Sequence, residues 1–324
     1  MNTIVLSMKN KIRIYPIIFF SVFMMMVSTS YLTYSEKVLD YKFLEKWGSN
    51  GTGDGQFNKP HSIAFDSLGN VYVSDTNNHR IEKFTPDGKF ITKWGANGTG
   101  DGQFHYPEGI DVDSKGNVYV TDTGNSRIEK FTPDGKFIAK WGAKGAADGQ
   151  FSRHVHGITI DPSDNIYITD RFNHNIQKYT TDGKFIAKWG SKGTTDGQFD
   201  QPHSSVVDTS GNVYVSDINN HRIQKFTSDG KFITKFGTEG PDHKEFVPLG
   251  IGVDSHNNIY IINQRNSNIE GFTSQGSFIG SLMTPASNNE NISNLEDLEL
   301  DQKNNIYVTD RANNEIKIFS PVKQ

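Results

Sequence analysis

One hexapeptide constrains this chain more than any other feature. Phe90-Ile91-Thr92-Lys93-Trp94-Gly95 returns as Phe137-Ile138-Ala139-Lys140-Trp141-Gly142, then as Phe185–Gly190, then with Phe for Trp as Phe232–Gly237. Trp47, Trp94, Trp141 and Trp189 stand 47, 47 and 48 residues apart; Phe236 continues the column after 47 more and Leu282 after a further 46. A second column reads Tyr72, Tyr119, Tyr167, Tyr214, Tyr260 and Tyr307, each flanked by Val or Ile. Six copies of one unit are expected, and a fixed period of this length signals a solenoid, a propeller or an array.

Each copy divides into four short strand signals. In the first they are Ser62–Phe65, Val71–Ser74, Ile81–Phe84 and Phe90–Trp94, separated by Asp66–Asn70, Asp75–His79 and Pro86-Asp87-Gly88. The separators supply the backbone angles of tight hairpins, and the β-branched and aromatic runs between them favour strands. Four antiparallel strands per repeat predict an all-β, six-bladed β-propeller. Composition agrees: 34 % apolar content is thin for one large core, while 31 glycines suit many tight turns. The ends predict how the ring shuts. Ile316–Phe319 is a third strand with no fourth after it, and Phe43–Trp47 is a fourth strand with no first three before it. The N-terminal strand is expected to complete the sixth blade and remove the open edge.

The pattern Gly-Asp-Gly-Gln-Phe, Pro-x-Gly-Ile-x-x-Asp, Gly-Asn-Val-Tyr-Val-x-Asp-x-x-Asn-x-Arg-Ile resembles the NHL repeat. It covers residues 43–319, and copies 1, 2 and 4 match best. The fifth copy has Lys244-Glu245-Phe246 where others have Gly-Gln-Phe, and the sixth replaces that loop with Ser287–Leu295. The resemblance implies a four-stranded NHL-type blade and a disc that binds ligands or proteins.

Residues 1–30 carry Lys9, Lys11 and Arg13, no acid, and the apolar run Ile14–Val27. They are expected to be a signal peptide cleaved after Ser30, with an uncleaved anchor at 14–30 as the close second reading. A linker over 31–42, a propeller over 43–320 and a tail over 321–324 complete the expected plan, and the mature part is expected outside the cytoplasm. Without the three leader cations, 30 Lys and Arg face 37 Asp and Glu, a net charge of −7. That argues against nucleic acid as a partner and leaves an unknown protein or small ligand, with membrane contact only through the N-terminal segment. No cysteine is present, which excludes disulfides, thiolate metal sites and cysteine nucleophiles. Asn50, Asn97 and Asn291 begin Asn-x-Thr/Ser sequons that a modifying host could glycosylate.

Polar residues that recur in every copy are expected to be structural. Asp75, Asp122, Asp170, Asp217 and Asp310, the Asn78 column, and Arg80, Arg127 and Arg222 are spread around a ring and cannot converge on one substrate. Function belongs where the copies differ. Just before the first strand of each blade stand His61, Glu108, His156, His203, Leu249 and Glu296. First strands line a propeller's channel, so this column should ring one mouth. Histidines and carboxylates in such a ring suit zinc or another divalent metal, with His61, His156, His203 and Glu108 as ligands and Glu296 as a ligand-binding residue.

These settings also resemble the lyase domain of peptidylglycine-amidating enzymes, a six-bladed propeller with three channel histidines on zinc. That resemblance implies a catalytic role for Arg171, fifteen residues after His156, in orienting a substrate carboxylate or supporting proton abstraction. The histidines here sit on blades 1, 3 and 4 instead of alternating, so three-fold convergence requires Glu108 or Glu296 as well. Two functions follow as expectations. The first is a non-catalytic binding or scaffold module, working at the disc face or channel mouth. The alternative is a zinc-dependent lyase or hydrolase at the same mouth.

Overall fold

The computed structural model describes residues 39–237, 246–282 and 294–322 of the chain. Residues 1–38, which include the expected leader, lie outside the described residues, as does Asn291. Among the described residues no helix is long and apolar enough to cross a membrane.

Six four-stranded antiparallel sheets make a six-bladed β-propeller. Blade 1 runs from its inner strand Pro60–Phe65 through Val71–Asp75 and Arg80–Phe84 to the outer strand Phe90–Trp94. Blades 2 to 5 repeat this order from inner strands Pro107–Val112, Val155–Ile160, Pro202–Val207 and Pro248–Val253. Blade 6 takes Leu295–Leu300, Ile306–Asp310 and Glu315–Pro321, then receives Tyr41–Trp47 as its outer strand. Each inner strand packs on the next, and that of blade 6 packs on that of blade 1. The ring is closed as the incomplete copies predicted.

Local chemistry explains the hairpins. In the turn after the inner strand, Asp66 Oδ1 accepts from the backbone N–H of Leu68 and Asn70 at 3.0 and 2.9 Å, while Oδ2 accepts from Asn70 Nδ2 and the Tyr72 hydroxyl at 2.8 and 3.1 Å. The same residues recur as Asp113, Asn117 and Tyr119, then Asp161, Asn165 and Tyr167, and again in blades 4 and 5. The tyrosine column thus anchors turns from inside the core. No blade could bury its faces alone: Tyr72 and Ile81 of blade 1 pack with Phe104, Ile110 and Phe131 of blade 2, all fully or nearly buried. Each Trp lies over the outer hairpin of the next blade. Gly88 has φ +75°, and a Cβ there would stand 2.4 Å from Trp47, so the Asp-Gly pairs serve packing as well as turning.

Two expected boundaries move. The linker expected to run to residue 42 ends earlier, because Leu39 is buried with its N–H donating to Ser281 O at 2.9 Å and Tyr41 pairs with Pro321. The tail expected from residue 321 starts later, because Pro321 is still paired and Val322 N–H donates to Asp40 O at 2.8 Å.

Candidate metal centre at the channel mouth

The column that differs from blade to blade lies inside the inner strands, not before them. It is the second residue of each: His61, Glu108, His156, His203, Leu249 and Glu296. Every inner strand is irregular at that point. Pro60 pairs with Asp75 and Ile63 with Val73, so His61 and Ser62 oppose one residue, Ser74. The same shift recurs in all five other blades. A bulge re-aims side chains at the rim of a sheet, and here six bulges bring one side chain per blade to the mouth of the channel.

Four of these side chains converge closely. His61 Nε2 and His203 Nε2 lie 3.3 and 3.2 Å from the same Glu296 oxygen, and the rings of His61 and His156 have centroids 4.6 Å apart. Ligand atoms of His61, His156 and Glu296 all fall within 4.8 Å of one another. Two ligand atoms on a tetrahedral zinc with bonds of about 2.0–2.1 Å stand about 3.3 Å apart, the separation found between Glu296 and each of two imidazoles. Glu108, expected as a ligand, stands farther out: its Oε2 is 3.7 Å from His156 Nε2 and accepts from Thr123 Oγ1 at 3.3 Å. Glu296, expected only to contact a ligand, occupies the centre. Leu249 is buried against the core formed by blades 5 and 6 and leaves blade 5 without a donor.

The electrostatics suit a metal. Burial opposes ionising Glu296, but hydrogen bonds from His203 and His61 and their charges outweigh it and hold the carboxyl well below its usual range. Burial likewise opposes protonating His61, yet the Glu296 bond and charge raise it. His203 is lowered by burial to about 4 in spite of Glu296, and burial with the charges of His203 and His61 carries His156 well below its usual value. Burial thus holds His156 and His203 towards their neutral forms, while His61 keeps a proton more readily against Glu296; a divalent ion would take that proton's place. The Nδ1 atoms of His61 and His203 are buried with no hydrogen-bond partner among the described residues. The donor set fits zinc or a similar divalent ion.

Two arginines flank the centre. Arg311 Nη1 bonds Glu296 Oε2 at 3.0 Å. Arg171, half-buried, bonds only Gln201 Oε1, at 3.2 and 3.0 Å, and has no carboxylate of the described residues within ion-pair distance. Below the mouth, a cavity of about 30 Å³ is bordered by the three histidines and by Asp111, Asp297 and Glu299. That is room for a water or two, not for a threaded organic ligand. Burial pushes Asp111 up to about 7 and Asp297 up to about 6; burial and those two neighbours raise Glu299 well above its usual value. The sequence reading missed Arg311 and this acidic tier. The signal was available, since Asp111 and Glu299 occupy a column that is otherwise Ala64, Thr159, Val206 and Gly252.

The recurring polar residues are structural, as expected, and they do more than cap. Asp75 accepts from Asn58 N–H, Asn78 Nδ2 and Arg80 Nε at 2.7, 2.7 and 2.8 Å. Arg80 carries on to the carbonyls of Thr52, Gly53 and Gln56, tying the Gly-Asp-Gly-Gln-Phe loop to the blade. Arg127 and Arg222 repeat this arrangement.

Comparison with known proteins agrees with the fold. The family model described as the NHL repeat matches residues 57–84, 104–131, 153–179 and 199–226, that is, blades 1 to 4. NHL repeat-containing protein 3 of Homo sapiens is 48 % identical over 48 residues, 15 % of this chain and 14 % of that protein. The Mus musculus protein of the same name is 44 % identical over an equal stretch. The chain thus spans about a seventh of these relatives' length. Among solved structures, a streptogramin B lyase superposes with TM-score 0.63 at 16 % identity, covering 88 % of this chain and 99 % of that one. A catalytically inactive histidine-to-alanine variant of virginiamycin B lyase from Staphylococcus aureus, with quinupristin, gives TM-score 0.63 at 15 % identity, again over 88 % and 99 %. The chain is thus a six-bladed β-propeller that carries NHL repeats in blades 1 to 4.

Proposed function

We propose that this propeller is a binding platform whose ligand is received at the channel mouth and centred on a divalent transition metal held by His61, His156 and Glu296. The observation that carries the reading is that buried ligand atoms of His61, His156 and Glu296 all lie within 4.8 Å of one another, close enough to share one ion. His203 completes the set or steadies Glu296. The −7 charge of residues 31–324 and the narrow cavity favour a protein or a small ligand docked on the mouth over nucleic acid.

Elemental analysis of residues 31–324, purified without chelator, tests this, with a His156→Ala/His203→Ala double variant alongside. About one equivalent of zinc or another transition metal, lost in the variant, is expected. No metal in either protein after incubation with excess zinc would leave a structural or protein-binding disc.

A second reading, lyase chemistry, is favoured by Arg171, a mouth guanidinium with no carboxylate partner among the described residues. A bound divalent ion would polarise a substrate oxygen. Arg171 would orient an anionic group of the substrate. A streptogramin B lyase and a virginiamycin B lyase share this fold, which is support by analogy alone.

A further inference from the structure

The column that follows the mouth ring in sequence reads Ser62, Gly109, Gly157, Ser204, Gly250 and Asp297. Glycine serves where neighbouring inner strands press together: a Cβ at Gly109 would stand 2.5 Å from His156 O, and one at Gly250 2.6 Å from the Cα of Asp297. So little side chain leaves the cavity of about 30 Å³ below the mouth, bordered by His61, His203, Ser62, Ser204, Asp297 and Glu299. Asp297 is the one acid of its column, and no other blade places anything larger than serine there.

The two histidines that border this cavity are 3 % and 1 % exposed, so bulk solvent does not serve them, and the Nδ1 of each has no hydrogen-bond partner among the described residues. Glu296 is ionised and only accepts, so a neutral His203 donates to it through Nε2 and carries a bare Nδ1. Once Nε2 gives its lone pair to a metal, the proton of a neutral imidazole sits on Nδ1 instead. The group that meets Nδ1 must therefore donate in one state and accept in the other. Water does both; a carboxylate does not. Asp297 can anchor such a water: Ser62 Oγ donates to its Oδ2 at 2.6 Å and the Leu298 N–H also bonds the carboxylate, which uses two of about four acceptor sites. The space exceeds the roughly 10–15 Å³ that one water requires.

We propose that this cavity is a water site built into the channel, in which water bridges the Nδ1 atoms of His61 and His203 to Asp297. This rests on the reading of the mouth as a metal centre and makes Asp297 a positioning residue for it. The acid fixes the orientation and tautomer of two rings without touching the ion. Outer partners of metal-bound histidines are typically worth about 10–100-fold in metal affinity.

The test uses residues 31–324, which hold all six blades, isotope-labelled at the histidine nitrogens. In metal-free protein the His203 Nδ1 resonance should lie upfield of an unbonded imidazole nitrogen, the signature of an accepted hydrogen bond. That spectrum stands on the wild type, whatever becomes of any variant. Asp297→Asn keeps the size of the side chain and removes its charge; zinc affinity should fall about 10–100-fold, and the Nδ1 protons of the zinc-bound protein should exchange faster with solvent. Glu299→Gln takes an acid from the same cavity but not from the bridge, and should leave zinc affinity unchanged. An unbonded His203 Nδ1, an unchanged affinity in Asp297→Asn, or equal losses in the two variants overturns the proposal even where zinc binds as expected. A bonded Nδ1 in protein that takes up no zinc supports the water site and sinks the metal reading separately.

Discussion

The hairpin ring of Asp, Asn and Arg and the mouth ring of His and Glu lie in the same blades, and both bury charge. They do it in opposite ways. Asp122 meets His105 N–H, Asn125 and Arg127 at 2.7 Å each, and Arg127 spends its remaining donors on three loop carbonyls. At the mouth, the Nδ1 atoms of His61 and His203 and the Nε of Arg311 have no hydrogen-bond partner among the described residues, and two histidines compete for a single carboxylate oxygen. A saturated network stabilises; an unsaturated one costs free energy until something fills it. The Asp122–Arg127 network therefore helps to hold the disc together, while the mouth keeps buried polar atoms unmet.

The largest effect that could break this contrast lies in the hairpins. Asp122→Ala removes one of the two carboxylate partners of the buried Arg127 guanidinium, Glu129 being the other, and should cost about 3–5 kcal/mol in denaturant unfolding. Asp170→Ala, in the blade where Asn175 replaces the arginine, should cost only about 1–3 kcal/mol. Equal losses would mean that the arginine clamp adds nothing. Metal content per folded molecule should be unchanged in both.

Next comes the mouth. Zinc at a hundred times its dissociation constant should stabilise the protein by about 2.7 kcal/mol. Glu296→Gln should abolish that gain, while its unfolding midpoint without metal moves far less than that of Asp122→Ala. A Glu296→Gln protein still stabilised by zinc would remove Glu296 from the centre.

The smallest effect is a pH dependence within the hairpin ring. Burial, opposed by Arg80 or Arg127 and by a backbone N–H, pushes Glu82 and Glu129 up to about 7 from an ordinary 4.5. A folded-state value above the unfolded one means the native protein holds the proton more tightly. These two groups therefore contribute stability below about pH 4.5 that is lost as pH rises through about 7. Gln177 and Gln224 occupy the same positions in blades 3 and 4 and accept the same loop N–H, at 3.1 and 2.9 Å. Glu82→Gln/Glu129→Gln should fold normally and flatten the stability profile across that window. An unchanged slope would show that the arginines keep both carboxylates ionised.

Ring closure was legible in the sequence because an orphan fourth strand and a missing one are complementary, and repeat registers leave no other arrangement. The mouth column was legible because a polar residue that changes from copy to copy has no turn to serve. Its inner geometry was not. Which donors share a centre depends on the rotation between blades and on the bulge at Pro60–Ile63, and neither is written in residue types. That is why Glu108 and Glu296 exchanged places between expectation and structure. Arg171 was named, but that no carboxylate of the described residues stands within ion-pair distance of it is a property of the fold. Asp111 and Glu299 went unnoticed because an acid inside an apolar strand counts as a departure only once the strand is known to face a channel.

The strand that shuts the ring also decides how the disc answers mechanical load. Tyr41 pairs with Pro321 at one end of the clasp and Trp47 with Ile316 at the other. The chain entering at Tyr41 and the chain leaving after Pro321 therefore emerge side by side. Tension between them would peel the pair open one hydrogen bond at a time, beginning with the outermost. Load applied in shear would instead have to break the whole row together. A tether on either flank alone leaves the clasp unstrained, whereas a pull on both at once is the direction in which this ring would give first.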